Sequence, residues 1–333
     1  MLFNESKDLD LGRESFVKDS LLKGALLCLI ASVSWGAMFP VAHRAFSYID
    51  PFYFTLIRYS AVTVLLVLIL WVKEGKKAFK LEGKGLSLWF FGTMAFAVYN
   101  LLVFWGQDLL GHPGVILASI MEALMPMISV ILLWMYKKHK PQRFTMLTII
   151  VAFIGVFFVI TKGDVTSFFV SGGQLIPVLL IFIGVLGWVV YTIGGNHFSE
   201  WSALRYSTLS CLLGTGTAGV IVMFTTWIGY TPVPTVENLI KITPEMLFMI
   251  IFPGLIALLG WNIGVSILTP INGILFINFV PITTFIISMF QGYQMTMYDF
   301  IGTLLVIVAI VANNLYQRNE VSKLAKQRLI KVE

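Results

Sequence analysis

Long apolar stretches separated by short polar segments recur along the whole chain of 333 residues. A bilayer core of about 30 Å requires roughly 20 mostly apolar residues in helical form. Backbone amides in lipid must be satisfied within the segment, and the alternation typical of a membrane barrel is absent, so each stretch predicts a helix. Ten stretches qualify: 24–46, 51–72, 87–108, 113–136, 144–161, 174–195, 203–229, 245–267, 271–291 and 298–317.

A short phrase occurs twice in this pattern, and both times it opens an apolar segment. Ile57-Arg58-Tyr59-Ser60 lies in the first half of the chain, and Leu204-Arg205-Tyr206-Ser207 lies in the second. Duplicated halves are typical of secondary transporters, which bind their solute between the halves. The pattern predicts two five-helix repeats, at 24–161 and 174–317, joined by a linker at 162–173. A tryptophan precedes each copy and a proline follows it: Trp35 and Pro126 in the first half, Trp188 and Pro281 in the second.

The positive charges fall on alternate sides of the predicted helices. Eighteen lysines and arginines lie in the two tails and in the segments after the second and fourth stretches, whereas three lie in the opposite loops. This asymmetry predicts that the N-terminal tail (1–23) and the basic C-terminal tail (318–333) are cytoplasmic. Because five is an odd number, the second repeat must be inverted relative to the first. The net charge of +6 is thus a topology signal, and nucleic-acid binding is not needed to explain it.

Composition favours a membrane protein and disfavours several kinds of site. Hydrophobic residues make up 58% of the chain and charged residues 12%, against about 25% charged residues in soluble proteins. We expect an all-α integral protein of the plasma or inner membrane, a monomer in contact with the lipid bilayer. Two cysteines within spans and four unclustered histidines predict no disulfide framework, no metal site and no cofactor.

Glu122 is the sharpest candidate for a functional residue. It lies about ten residues into a stretch that starts near Pro113, close to the middle of the bilayer. An ionised carboxylate there costs on the order of several kcal/mol unless it is paired or hydrated, and intramembrane acids usually mark ion or substrate pathways. We favour a role in substrate binding and proton coupling. The alternative is a protonated acid that donates a hydrogen bond to a neighbouring helix.

Two prolines are predicted to kink their helices. A proline cannot donate to the carbonyl four residues before it, so Pro126 frees the carbonyl of Glu122, and Pro281 frees that of Ile277 beside Asn278. Two kinked helices with polar groups at matching depth predict a cavity at the repeat interface. The alternative is that the kinks only shape helix packing.

Amides and aromatic rings within the spans complete the predicted site. Asn100 and Asn262 suit either substrate contact or a hydrogen bond between helices, and the second role is favoured. Rings with polar tips suit an amphipathic solute, and a cation over such rings gains about 0.5–2 kcal/mol. The predicted substrate-binding residues are Trp35, Tyr99, Asn100, Glu122, Trp188, Tyr191, Asn262 and Asn278.

The duplicated arginines receive a different prediction. Arg58 and Arg205 are expected to reach water near the helix ends, as long cationic side chains in membranes do. Holding a helix end or a lipid headgroup is therefore favoured over clamping a substrate carboxylate. Tyr59 is assigned to packing.

Several of these residues stand in the order found in a known family. They are Ser34-Trp35-Gly36, Pro51, Arg58, Ala123-Leu124-Met125-Pro126 and Gly155-Val156 in the first half, and Trp188, Tyr191, Arg205 and Val280-Pro281 in the second. The set resembles the EamA-type branch of the drug/metabolite transporter superfamily over nearly all of 24–317. The resemblance implies ten helices as two inverted repeats, cytoplasmic termini, and export or exchange of small metabolites, commonly amino acids. One departure is that the family often has a glutamate near the end of the fourth span, where Tyr136-Lys137 stands here.

The favoured function is a secondary transporter that moves a small organic metabolite, an amino acid or a related compound, outward by alternating access. Protons are a candidate coupling ion. A transporter of cationic amines or drugs is the alternative, because one buried acid among many rings also fits a cation. A membrane-embedded enzyme is disfavoured, because the spans contain one central acid, no nucleophile–base pair and no nucleotide-binding motif.

Overall fold

A computed structural model describes residues 2–138, 140–164, 174–268 and 270–330, which are almost entirely helical. The predicted linker at 162–173 falls mostly outside the described residues. The helices are α1 (Leu2–Phe46), α2 (Pro51–Glu74), α3 (Gly85–Leu110), α4 (His112–Ala123), α5 (Met125–Lys137), α6 (Arg143–Thr161), α7 (Leu175–Gly194), α8 (Ala203–Trp227), α9 (Val236–Lys241), α10 (Thr243–Leu268), α11 (Ile274–Phe290) and α12 (Met297–Ile330). Short 3-10 turns at Lys76–Phe79 and Gly195–Phe198 and one helical turn at Pro270–Gly273 lie between them.

In the described part of the chain, eight helices are long and apolar enough to cross a membrane. They match eight of the ten predicted stretches: α1 from Leu21 onward, α2, α3, α6, α7, α8, α10 and α12. The described residues of both predicted tails are helical and continuous with the spans, since α1 begins at Leu2 and α12 continues to Ile330.

The fourth predicted span is interrupted rather than merely kinked, and the ninth changes helix type along its length. α4 and α5 meet at Leu124 with a bend of 53°, and Pro126 stands in the first turn of α5. There its missing N–H costs nothing, because the first amides of a helix have no intrahelical partner. α11 is a shorter apolar helix that opens with a 3-10 segment, Ile274–Asn278, before Pro281.

α3 and α10, the third long helices of the two repeats, share an irregularity. Each contains a π-helical segment soon after its start, at Thr93–Tyr99 in α3 and at Ile250–Ile256 in α10. Such turns are rare, and they recur at functional sites. Their matching positions are a second trace of the duplication, invisible in the sequence.

Helix packing also follows the duplication. α1 packs against α10 and α11, and in the other half α7 packs against α3 and α5. α2 pairs with α8, and α6 pairs with α12. In the two repeats, α1 corresponds to α7, α2 to α8, α3 to α10, the α4–α5 pair to α11, and α6 to α12. Exchanging corresponding helices gives the same set of pairs, so the two halves of the chain are built alike and pack into each other.

The α6–α12 pair is brought together by two glycines. A Cβ atom added to Gly155 would lie 2.5 Å from the carbonyl oxygen of Gly302, and one added to Gly302 would meet the carbonyl of Gly155 as closely. Small residues permit such backbone contact between membrane helices. The outward faces are apolar, as at Val72, Met223 and Phe290, which suits a surface in lipid.

Candidate functional site

A cavity of about 370 Å³ lies where the two repeats meet. Its walls come from α1–α5 in the first repeat and from α7, α8, α10 and α11 in the second. None of its described lining residues belongs to α6 or α12, which form a separate pair at the side of the bundle. The cavity is therefore made jointly by both halves of the chain.

One acid lines this cavity, at the end of α4. Glu122 is 6% exposed, and its carboxylate accepts a hydrogen bond from the hydroxyl of Tyr99 on α3, at 3.2 Å. α4 ends one residue later, where the chain turns toward α5. The helix break thus places Glu122 at a corner of the cavity wall.

A buried cation also lines the cavity, which corrects a sequence prediction. Arg58 on α2 is only 1% exposed, so the expectation that it reaches water is wrong. Its Nη1 lies 3.4 Å from the sulfur of Met38, and its guanidinium lies 4.8 Å and 5.9 Å from the ring centroids of Tyr59 and Phe104. α2 begins at Pro51, about two turns earlier, and Arg58 faces the interior of the bundle rather than the helix end.

The duplicate arginine lies elsewhere. Arg205, near the start of α8, donates to the carbonyl of Lys80 at 2.5 Å and to Oε1 of Glu82 at 2.8 Å. Its guanidinium stacks 4.0 Å from the ring centroid of Trp201. The hydrogen bonds from Arg205 and Trp201 lower the pKa of Glu82 from its usual value. Arg205 thus ties α8 to the loop between α2 and α3.

The two duplicated tryptophans form matching parts of the wall. Trp35 on α1 lies 5.4 Å from Trp261 on α10, and Trp188 on α7 lies 5.1 Å from Tyr99 on α3, measured between ring centroids. Each tryptophan therefore meets an aromatic ring on the third long helix of the opposite repeat. The indole of Trp35 also donates to the carbonyl of Pro253, within the π-helical segment of α10, at 3.3 Å.

Several cavity residues are absent from the site predicted from the sequence. Tyr59, Tyr206 and Ser207, all from the duplicated phrase, line the cavity. Tyr206 stacks on Tyr191 with 4.9 Å between ring centroids, and its hydroxyl donates to the Tyr191 carbonyl at 2.9 Å. The duplication itself is the signal that could have identified them. Tyr59 also packs in the core as predicted, with its ring centroid 5.2 Å from that of Phe96.

The structure gathers most of the predicted substrate-binding residues, but two lie elsewhere. Asn100 donates to the carbonyl of Ala95 at 2.8 Å, and Asn278 donates to the carbonyl of Leu275 at 2.8 Å. Neither asparagine lines the cavity. Among the described residues, no cluster of three or more potential metal ligands occurs. The predicted residues that do line the cavity are Trp35, Tyr99, Glu122, Trp188, Tyr191 and Asn262, together with Pro126.

Comparisons with known proteins agree with this architecture. A family model described as "EamA-like transporter family" matches residues 22–161 and 175–315. "Uncharacterized transporter YrdR" of Bacillus subtilis (strain 168) is 55% identical over 311 residues, which are 93% of this chain and 97% of that protein. "Uncharacterized transporter YyaM" of the same strain is 28% identical over 290 residues, 86% of this chain and 92% of that protein. A solved crystal structure matches with a TM-score of 0.61 at 14% identity, covering 89% of this chain and 98% of that one, which shows likeness of fold alone.

Proposed function

Since this chain belongs to the EamA-like transporter family and is a multi-pass membrane protein, we propose that it is a secondary transporter of a small organic metabolite, an amino acid or a related compound. The main support is the cavity between the repeats, whose wall combines a buried acid with aromatic rings from both halves. Its volume, about 370 Å³, lies within the range of about 300–1,000 Å³ for small-molecule sites.

The proposed topology has ten spans and an inverted second repeat. In it, the bent α4–α5 pair and α11 cross the membrane as the two remaining spans, with both termini in the cytoplasm of a cell-membrane protein. The contact between Arg205 and Glu82 supports this arrangement, because it puts the start of α8 on the same face as the end of α2. Cysteine labelling in intact cells tests it: single cysteines in the lysine-rich 75–84 loop should be protected from an impermeant maleimide, and ones near 230–241 should react.

Alternating access is the proposed mechanism, with residues 24–161 rocking against 174–317. The cavity extends to the end of the bundle where α7 ends and α8 begins, at Gly195 and Ala203. Near the other end of α1, the rings of His43 and His112 lie 4.3 Å apart between centroids, and Arg44 forms an ion pair with Glu245 at 3.5 Å; in the proposed mechanism these contacts part when the cavity opens on that side. With the orientation that the charges predict, the end at Gly195 and Ala203 faces the cytoplasm, where a solute for export would enter.

Proton coupling through Glu122 is part of the proposal, because an acid so deeply buried carries charge only at a high cost in free energy. Flux of radiolabelled solute into proteoliposomes should respond to an imposed pH gradient, and the response should disappear in Glu122→Gln. Glu82→Gln, outside the cavity, serves as the matched control. If flux in the wild type does not depend on the pH gradient and is unaltered in Glu122→Gln, proton coupling is rejected, but the transport proposal is not.

Transport itself is tested by counterflow. Proteoliposomes loaded with a mixture of unlabelled amino acids should accumulate trace labelled amino acid, and Trp188→Ala should reduce the rate by removing part of the wall. Failure of both amino acids and amines to exceed protein-free vesicles would reject the function. The rings and the acid also favour cationic amines as a second candidate. Inhibition of amino-acid counterflow by choline-like compounds better than by neutral amino acids would select that candidate.

A further inference from the structure

The guanidinium of Arg58 is buried without a matching acceptor among the described residues. Its Nε has no hydrogen-bond partner, and Arg58 takes part in no ion pair of the described chain. The sulfur of Met38, at 3.4 Å, is a weak acceptor, and the rings of Tyr59 and Phe104 attract the cation without accepting its fork of N–H groups. A buried cation of this kind is strongly unfavourable unless a hydrogen-bonded partner joins it.

The position of Arg58 indicates where such a partner would come from. Arg58 and Glu122 line the same cavity, yet they are not in salt-bridge contact with each other. Glu122 is instead engaged by the hydroxyl of Tyr99. Arg58 on α2 and Glu122 on α4 therefore give one cavity both a positive and a negative group.

We propose that Arg58 binds the carboxylate of the transported solute, so that the solute is a zwitterion whose ammonium group faces Glu122 and whose body lies among the aromatic rings. This rests on the proposed transport function and selects between its two solute classes. The planar guanidinium matches a carboxylate with two parallel hydrogen bonds, which few other acceptors satisfy as well. A cationic amine would meet Glu122 favourably but would leave Arg58 unpaired and would be repelled by it.

Binding measured on the full-length protein in nanodiscs tests the carboxylate requirement. The probes are the proteinogenic L-amino acids and, for each one that binds, its amide and its decarboxylated amine. Both derivatives keep the side chain and an ammonium group but lack the carboxylate. Removing the carboxylate should weaken binding to the wild type about ten- to a hundredfold, the range expected for hydrogen bonds to a charged group.

Substitutions of Arg58 test whether this side chain causes the preference for a carboxylate. In Arg58→Met, amino acids should no longer bind more tightly than their decarboxylated amines. The amines should bind at least as well as they bind to the wild type, and this binding shows that the cavity of the variant is folded. Arg58→Lys should recover part of the preference, because it keeps the charge but loses the paired hydrogen bonds. Arg205→Met is the matched control: it removes the duplicate arginine, which contacts Lys80 and Glu82 outside the cavity, and should leave the preference for acids unchanged.

The possible failures are distinguishable. Amides or amines that bind the wild type as tightly as the acids overturn the role of Arg58 while leaving the transporter proposal intact. A preference for acids that survives in Arg58→Met does the same. Absence of binding by every acid and amine, combined with absence of counterflow, overturns the proposed function and this inference together.

Discussion

Replacing Gly155 by alanine should separate α6 from α12. The added Cβ would lie 2.5 Å from the carbonyl oxygen of Gly302, 2.9 Å from Cγ2 of Val306 and 3.0 Å from Cβ of Leu305. A side chain can rotate away, but a backbone carbonyl moves only with its helix. Restoring an ordinary contact requires the two helices to part by roughly 1 Å. This loosens an interface that is otherwise close-packed.

Two opposing terms set the size of the effect. Alanine is favoured over glycine in a helix by roughly 0.5–1 kcal/mol. Overpacking costs about 1–3 kcal/mol. Gly216 on α8 has no atom within 4 Å of its added Cβ, so Gly216→Ala carries the first term alone. Gly155→Ala should therefore be about 1–3 kcal/mol less stable than Gly216→Ala.

Thermal unfolding of the purified protein in one detergent measures this difference. With an unfolding entropy of about 2.1 cal/mol/K per residue, a chain of 333 residues shifts by roughly 1.4 °C per kcal/mol, so Gly155→Ala should melt about 1–4 °C below Gly216→Ala. Gly302→Ala should behave like Gly155→Ala, and the double variant should cost less than the sum, because one separation relieves both contacts. Equal melting of Gly155→Ala and Gly216→Ala would refute the close contact.

Three further predictions concern single sites. Pro126→Ala removes the ring that excludes a continuous α4–α5 helix and provides the N–H that such a helix needs, so the 53° bend should decrease, measured by spin-label distances across the α4–α5 pair. Because the pKa of Glu82 is lowered below its ordinary value of 4.5, its bond to Arg205 stabilises the loop above that pH and is lost as pH falls through the lower folded-state pKa. Carboxyl NMR should show that pKa return toward 4.5 in Arg205→Gln, and an unchanged titration would contradict the contact. Asp299, fully buried and accepting three hydrogen bonds at the start of α12, should cost about 2 kcal/mol of stability on change to alanine, read as a lower melting temperature.

Apolar length was sufficient to predict most helices, since a span must cover the bilayer with few polar groups. α2, for example, runs from Pro51 to Glu74 where 51–72 was expected. The sequence could not predict that side-chain amides would donate hydrogen bonds to carbonyls of irregular helical segments. Asn100 follows the π-helical segment Thr93–Tyr99, and Asn278 is the last residue of the 3-10 segment Ile274–Asn278; each side chain donates to a carbonyl of that segment. Each side-chain amide thus donates its N–H to its own helix, and neither residue lines the cavity.

The duplicated arginines illustrate why a repeated phrase reveals the fold more readily than the chemistry. Asp50 caps α2, and Arg58 follows it by about two turns; Ser202 caps α8, and Arg205 follows it within one turn. The same residues therefore enter the bundle at different depths, one in the cavity and one at a loop. Had both arginines lined the cavity, two cations would face the single acid, Glu122, and an anion would be the natural solute. With one cation and one acid, the cavity is complementary to a solute that carries both charges.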